Sequence, residues 1–512
     1  MQKQLEFIFS PEQANNQEYI KKAISQKLNI NELDIKDFRF IRKSVDARKG
    51  VKYNVTLEFV TGNDKFIDEK IDFDFKDVHK SECVIIIGAG PAGYFAAIEC
   101  LLKGLKPIVL ERGKSVDERK YDIAKLNREH IINPESNYAF GEGGAGTYSD
   151  GKLFTRSKKR GNIQTVLQLL VYFGANQNIL IESHPHIGTD KLPSIMKNIR
   201  QKIIECGGEV RFDTKVTELI IQNQQIQGVI TENGEKYLSN KVILATGHSA
   251  RDVYEFLQSQ NVELEAKGFA VGVRVEHFQS LIDQIQYKRS DRGEYLPAAT
   301  YNLVKQINGR GVYSFCMCPG GHIVNASTDK QHFVVNGMSN SRRNSKFANS
   351  GIVVELRPED CYPYCDNKIF ATLEFQKYVE KLASQNAASF GLAPAQRLHD
   401  FVNGKISASL PESSYFSGLV NSPLHFWLPE IISNNLRLAF KEFDKQMKGF
   451  LTNEAIVVGV ETRTSSPLKI VRNPETLCSV NIKGLYPCGE GSGYAGGIVS
   501  SAIDGQNAVK SM

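Results

Sequence analysis

The sequence predicts an α/β protein. Its parts are a dinucleotide-binding domain of parallel strands in two separated pieces, an inserted domain of antiparallel sheet plus helices, and a small N-terminal α+β domain. Three observations predict this. An apolar run at residues 83–87 passes without a break into Gly88-Ala-Gly90-Pro-Ala-Gly93 and a helix-like stretch, and a second apolar run closes at Glu111. Strand-like and helix-like segments without such a turn fill residues 253–450. A strand, a glycine-rich turn and a helix then recur between residues 483 and 509. The expected division is residues 1–80, residues 81–252 with 451–512, and residues 253–450.

Length and composition agree with this build. A chain of 512 residues can hold two or three domains. A hydrophobic content of 41% and a charged content of 23% are ordinary for a globular protein. The net charge of +6 permits an anionic ligand but does not favour nucleic acid. No apolar run approaches the roughly 20 residues of a membrane span. The opening Met-Gln-Lys-Gln-Leu-Glu-Phe carries an acid early and lacks a long apolar core, so no secretory signal is expected. Nine scattered cysteines, odd in number, fit free thiols in a reducing, cytoplasmic setting.

In residues 1–80 the order is β-α-β-β. Strands are expected at 5–9, 35–43 and 51–60, a helix at 11–28, and a fourth strand near 66–75. The stretch Phe38-Arg-Phe-Ile-Arg-Lys mixes basic and aromatic residues, as a nucleic-acid surface would. Asp34, Asp37 and Asp46 crowd it, which favours a solvated strand face instead.

Residues 83–111 carry the dinucleotide fingerprint in its full βαβ context. Gly88 permits the tight turn, Gly90 lets backbone approach a pyrophosphate, and Gly93 lets helix and strand pack closely. Ala89, Pro91 and Ala92 complete the turn. The helix N-terminus offers free N–H groups to phosphate. Glu111 is placed to accept hydrogen bonds from a ribose. The same glycine spacing recurs at Gly141–Gly146 and Gly491–Gly496 without the flanking βαβ context, so one Rossmann-like domain is expected.

A charged segment follows to about residue 130. Residues 141–151 then hold five glycines with Thr147 and Ser149 between them, and Lys152 comes next. A glycine-rich loop of this kind inside a compact domain is usually functional. Its backbone can lie flat against a planar ring system. Helices are expected at 162–182 and 192–206, the second capped by Thr189 or Asp190. His184 and His186 lack partners at metal-ligand spacing. A strand at 210–216 and a meander to 238, with a hairpin turn at Asn233-Gly234, precede Val242-Ile-Leu-Ala245-Thr246-Gly247. That small-residue turn lets backbone approach a cofactor.

In the inserted region, residues 269–277 read as a strand presenting Arg274, Glu276 and His277. Residues 309–322 give a second strand, with Arg310, Cys316 and Cys318. Helices are expected at 370–390 and 428–447. A Cys316–Cys318 disulfide in an extended strand would be strained, and no zinc-type spacing occurs. The cysteines are therefore expected to be free thiols, and no metal is expected. His248, His277, His322 and His399 are proton-transfer candidates. Residues 456–467, with Glu461 and Arg463, read as a strand running into a polar loop. The chain closes with Gly489-Glu490 and a helix that begins after Gly496-Gly497 at Ile498. The acid there can bond a polyol chain. The helix N-terminus can face the pyrimidine edge of a flavin and stabilise negative charge on it.

Together these residues resemble the FAD-binding fold of the glutathione-reductase-like flavoproteins. More narrowly, Gly-Glu-Gly-Gly-Ala-Gly-Thr-Tyr-Ser-Asp-Gly-Lys-Leu, Ala-Thr-Gly-His-Ser-Ala-Arg-Asp, Tyr-Ser-Phe-Cys-Met-Cys-Pro-Gly-Gly and Glu-Thr-Arg-Thr-Ser-Ser-Pro are similar to a family of uncharacterised FAD-dependent dehydrogenases. The resemblance implies non-covalent FAD. Gly88 to Gly93 would hold the pyrophosphate and Glu111 the adenosine ribose. Arg112 would lie near the adenine half, and Val216 would meet adenine through its backbone. Gly144, Ala145, Gly146, Thr147 and Lys152 would lie near the flavin. Gly489 and Glu490 would meet the ribityl-phosphate part, and Gly497 and Ile498 the ring edge.

The expected activity is oxidoreduction of a small molecule, with NAD(P)H a candidate electron donor. Lys152, Arg274, His277, Arg310 and Arg463 are the substrate-side candidates, any two of which could clamp a carboxylate. Competing readings are a flavoprotein that modifies RNA through the basic N-terminal strand, and a non-catalytic flavin-binding regulator.

Overall fold

The computed structural model describes residues 3–62, 64–66, 71–155 and 161–512. The apolar run at the fingerprint forms the strand Cys83–Ile87, whose Val84, Ile85 and Ile86 are wholly buried. It lies at the centre of a five-stranded parallel sheet. The order is Leu485–Pro487, Val242–Leu244, Cys83–Ile87, Lys106–Leu110, Glu209–Arg211. Strands this short and this apolar need cover on both faces. The helix Pro91–Lys103 supplies cover, starting from Gly90 with proline in its first turn and ending at Gly104 in the left-handed region. The helix Ile498–Lys510 packs against it. A Cβ on Gly505 would lie 2.0 Å from Ala92 O, so glycine is what lets these helices meet.

A seven-stranded sheet forms the second layer. Its order is Val304–Ile307, Arg310–Cys318, Phe347–Leu356, Phe269–Phe278, Ile456–Glu461, Ala393–Arg397, Leu419–Asn421. All neighbours are antiparallel except the last pair. The strand Ile456–Glu461 joins this sheet from beyond residue 450, so the sheet is not confined to the expected insert. The helices Ala371–Gln385 and Glu430–Gln446 bury Phe375, Val379, Leu436 and Phe440.

The N-terminal unit has three antiparallel strands, ordered Lys3–Phe9, Lys52–Thr61, Ile35–Asp46, and the helix Gln17–Leu28. Of the fourth strand expected near residues 66–75, residues 67–70 lie outside the described residues. Residues 71–75 form no strand, and Phe73 and Phe75 instead pack edge-on against Tyr172. The basic strand finds partners inside the protein. Arg39 Nε bonds Glu58 at 2.6 Å, and Arg42 Nε bonds Ser183 Oγ at 3.3 Å.

Other segments depart from expectation for local reasons. The charged stretch after Glu111 contains the helix Val116–Glu129, with Arg119, Ile123 and Leu126 facing inward. The helix expected over 162–182 stops at Tyr172, because Gly174 at φ 105° turns the chain. The strand expected over 210–216 breaks after Arg211, where Asp213 adopts φ 50° and donates its N–H to Gly113 O at 3.1 Å. Asp190 does not cap the next helix; its carboxylate accepts from Ser341 N and Oγ at 2.6 and 2.8 Å.

Candidate functional site

A cavity of about 410 Å3 opens where three parallel strands end against the antiparallel sheet. Gly88 follows the first strand, Ala245 to His248 the second, and Glu490 the third, and all of them line the cavity. Ligands of open α/β sheets bind beyond such carboxyl ends.

The glycines of the turn divide by task. Gly88 has φ 103°, and a Cβ there would lie 2.6 Å from Ala245 O. A Cβ on Gly93 would lie 1.9 Å from Gly88 O. Both glycines are demanded by packing. At Gly90, Gly247, Gly496 and Gly497 a Cβ would meet nothing within 4 Å, which leaves open space beside the backbone for a ligand. Gly90 also starts a helix whose first-turn N–H groups have no intrahelical acceptor.

Glu111 anchors this end. Its Oε2 accepts from Ala89 N at 2.8 Å, and its Oε1 accepts from Gly113 N and Gly141 N at 2.9 and 3.0 Å. A carboxylate offers about four lone-pair sites, so three are filled and one is left over. Beside it Arg112 makes a two-pronged bond to Asp252 at 2.9 and 2.9 Å, bonds Glu135 at 2.5 Å, and stacks 4.4 Å over Phe140. Burial opposes its charge, but Asp252 and Glu135 prevail and hold it more firmly protonated than usual. Val216 and Thr214 line the same end.

The glycine-rich loop is held from behind by Arg119. This wholly buried guanidinium donates to Asn137 O at 2.8 Å, Glu142 O at 2.7 Å and Gly144 O at 2.9 Å. With these carbonyls drawn inward, the short turn Gly144–Gly146 lies on the cavity wall between Gly90 and Ile498.

The loop ends in a charged corner. Lys152 Nζ lies 3.1 Å from Asp150 Oδ2, and Arg343 bonds the same carboxylate at 3.0 and 2.5 Å. Burial would raise the Asp150 pKa, but Lys152 and Arg343 hold it well below the usual carboxylate range. Burial also works against the Lys152 charge, and Asp150 outweighs it, so the ammonium is held above its ordinary pKa. A second corner repeats the arrangement. Glu380 is shared by Arg251 at 2.8 Å and Arg463 at 3.2 Å, and Arg463 lines the cavity. Burial pushes the Glu380 carboxyl up, but the two guanidiniums bring it down to about 2. Each corner carries two cations on one carboxylate. On the same cavity wall, His248 Nδ1 lies 3.6 Å from Glu490 Oε1, is buried, and has no hydrogen-bond partner.

Most of the sequence-derived residues meet on this wall: Gly88, Gly90, Pro91, Ala92, Glu111 and Arg112; Gly144, Ala145, Gly146 and Lys152; Val216 and Ala245 to Gly247; Glu490, Gly497, Ile498 and Arg463. Ala89, Gly93, Thr147 and Gly489 form the layer behind. Ala89 N is given to Glu111, Thr147 Oγ1 donates to Glu142 O at 3.1 Å, and Gly489 N donates to Asp504 Oδ2 at 2.8 Å.

Three substrate-side expectations are corrected. Arg274 is fully buried inside the antiparallel sheet, bonded to Glu461 at 2.8 Å and Asn349 at 2.7 Å, and does not line the cavity. His277 is an odd number of residues further along the strand and therefore faces the opposite side. There its Nε2 bonds Phe450 O at 2.8 Å. Arg310 pairs with Asp360 through two 2.6 Å bonds, away from the cavity. His322 and His399 are exposed.

Sequence reasoning missed Asp150, Asn336 and the placement of Cys316, all on the cavity wall. The Cys-Met-Cys-Pro-Gly-Gly turn was the available signal for Cys316. Among the described residues, no group of three or more His, Cys, Asp or Glu is arranged to hold a metal ion, and no helix is long and apolar enough to cross a membrane.

The open glycine faces, the spare lone pair of Glu111 and the two helix N-termini on one wall fit FAD. Comparison with known proteins agrees. Residues 268–464 match a family model described as FAD-dependent protein, C-terminal domain-like, and residues 197–307 match Glucose inhibited division protein A. Residues 1–60 match a Domain of unknown function (DUF8436). A Clostridium beijerinckii (strain ATCC 51743 / NCIMB 8052) protein, named only as an uncharacterized protein, is 40% identical over 506 residues, covering 95% of this chain and 94% of its own. Among solved structures, CtdE in complex with FAD and substrate 4 is 13% identical with a TM-score of 0.33, covering 84% of this chain and 80% of its own. A geranylgeranyl bacteriochlorophyll reductase-like protein from Thermoplasma acidophilum is 13% identical with a TM-score of 0.34, covering 84% and 78%. Scores this low carry no argument about activity.

Proposed function

The chain belongs to the family of that Clostridium beijerinckii protein, FAD is its cofactor, and from this premise we propose an FAD-dependent oxidoreductase that exchanges a hydride or two electrons with a small anionic molecule. The observation that carries the proposal is one continuous cavity, which runs from the dinucleotide turn at Gly88 and Gly90 to the charged corners at Lys152 and Arg463.

Gly88 to Ala92 would take the pyrophosphate on open backbone and a helix N-terminus. Glu111 would take the ribose, and Arg112 with Val216 would border the adenine. Gly144 to Gly146, Ala245 to Gly247, Glu490 and Ile498 would surround the flavin half. When bound, FAD supplies the two-electron chemistry.

The protein supplies position and charge. Lys152 with Arg343 exceeds Asp150 by one positive charge, and Arg251 with Arg463 exceeds Glu380 by one. A carboxylate-bearing substrate is attracted to a wall so charged. His248 Nδ1, beside Glu490 and without a hydrogen bond, is placed to hold or release a proton at the cavity surface. Phe315, Cys316, Val335 and Asn336, on strands of the antiparallel part, line the cavity opposite. NAD(P)H is the proposed electron donor.

The test is the visible spectrum of the purified protein, titrated anaerobically with NADH and then NADPH. Stoichiometric bleaching of a flavin band supports a pyridine-nucleotide-dependent enzyme. A band that persists makes the small substrate itself the donor. No band even after adding FAD sinks the proposal.

A further inference from the structure

Cys316 and Cys318, free thiols as expected, lie in an irregular stretch of strand. The strand Arg310–Cys318 runs in register with Phe347–Leu356 until Phe315 meets Gly351, and the next pair is Cys318 with Asn349. Three steps on one strand oppose two on the other, which defines a β-bulge. Within it Cys316 has φ 45°, a left-handed conformation rare for a side chain of its kind. The bulge brings Cys316 to the cavity wall and leaves Cys318 buried behind it. The Cys318 thiol donates to Cys316 O at 3.3 Å. Two residues of extended chain span roughly 6.6 Å, near the upper edge of disulfide separations, and a left-handed kink shortens that span.

We propose that Cys316 and Cys318 are an oxidisable pair on the cavity wall, in which the Cys316 thiolate is the nucleophile toward a small hydroperoxide and Cys318 resolves the product as a disulfide.

The surroundings are built for such a thiolate. Lys152 and Arg274 approach the pair from two different elements, with Asp150 and Glu461 as their counter-ions. Asp150 is already shared with Arg343, so the balance at the sulfurs is positive. Arg274 places Nη2 3.3 Å from Cys316 O and Nη1 4.0 Å from the Cys318 sulfur. The neighbouring Cys318 thiol, joined by the charges of Lys152 and Arg274, outweighs burial and holds the Cys316 thiol below its ordinary pKa, while the same contact pushes Cys318 up. Elsewhere burial does the opposite. It pushes Cys361 up to about 12 and raises Cys100 and Cys488 further. A low-pKa thiol on a cavity wall beside a second thiol is a common setting of a redox-active cysteine.

The chemistry balances. The Cys316 thiolate attacks the terminal oxygen of ROOH. The O–O bond breaks, an S–O bond forms, and RO⁻ leaves and takes a proton from water. The Cys318 sulfur then attacks the Cys316 sulfenic sulfur. Its proton leaves with the displaced hydroxide as water, and the S–S bond forms. The two thiols give up two electrons, and the hydroperoxide accepts them.

The experiment uses the full-length, FAD-loaded protein, reduced with dithiothreitol and desalted. It is treated with stoichiometric hydrogen peroxide and blocked with N-ethylmaleimide, and its cysteines are mapped by mass spectrometry. A Cys316–Cys318 cross-linked peptide is expected, reversed by dithiothreitol. In Cys318→Ser, dimedone is expected to trap Cys316 roughly 10-fold or more faster than the half-buried Cys478. A second measurement needs no variant. At pH 6 iodoacetamide is expected to alkylate Cys316 ahead of every other cysteine in wild type. Oxidation spread evenly over the cysteines, or alkylation at pH 6 with no preference for Cys316, overturns the proposal. The flavin spectrum of the same sample reports cofactor binding separately, so failure of the thiol chemistry is distinguishable from failure of the proposed oxidoreductase.

Discussion

The carboxylate of Glu111 accepts the backbone N–H of Ala89 at 2.8 Å, so the acid that ends the second strand holds the turn that ends the first. It also holds Gly113 and Gly141, and thereby joins the dinucleotide turn to the glycine-rich loop. Glu111→Gln keeps the size but turns an amide donor toward N–H donors. The expected result is a loss of about 2–4 kcal/mol of stability and an FAD affinity lower by about tenfold or more. Urea unfolding and FAD titration by fluorescence measure the two effects.

Gly90 and Gly93 separate binding from folding. Gly93→Ala places a methyl 1.9 Å from Gly88 O, whereas Gly90→Ala meets nothing within 4 Å. Thermal unfolding of the apoprotein should be almost unmoved by Gly90→Ala, while its FAD affinity falls. Gly93→Ala should lower the unfolding temperature strongly or prevent folding. Equal thermal losses in the two variants would contradict this division.

Glu380 balances Arg251 and Arg463. Glu380→Gln leaves two buried guanidiniums without a counter-charge, for an expected loss of about 3–5 kcal/mol. The urea midpoint of wild type and variant reads this directly. A variant as stable as wild type would mean that water or another group neutralises the corner.

His277 gives a pH dependence with a definite sign. Burial lowers its folded pKa from 6.5 to about 4, so the neutral ring is the folded form. The stability it contributes is complete above pH 6.5 and is lost as pH falls toward 4, by about 3 kcal/mol across the window. In His277→Gln this component of the slope disappears, which chemical denaturation at pH 7, 5.5 and 4.5 would reveal.

The dinucleotide turn was legible in the sequence because its requirements are local. Gly93 answers to Gly88 O five residues back and Gly88 to its own φ of 103°, and both sit in an unbroken strand–turn–helix context. The charged side chains were not legible in the same way. Strand alternation separates Arg274 from His277, but nothing along the strand says that one face meets Glu461 and the other Phe450. Arg310 carried the right chemistry for an anion, yet its partner Asp360 lies 50 residues away in sequence. Cys316 and Cys318 are free thiols as expected, but the place of Cys316 on the cavity wall was not legible, because the bulge comes from the pairing of its strand with Phe347–Leu356. The boundary near residue 450 was misjudged for a similar reason. The strand Ile456–Glu461 looks like any other until its neighbours Phe269–Phe278 and Ala393–Arg397 are known.

The pairing of the helices Pro91–Lys103 and Ile498–Lys510 bears on how the protein is made. Lys103 Nζ reaches Val509 O across 406 positions of sequence. A ribosome would release the dinucleotide turn early and the second helix only after the whole antiparallel sheet had emerged. A nascent chain would thus carry half a pocket for most of its synthesis, and cofactor capture becomes a late, largely post-translational event.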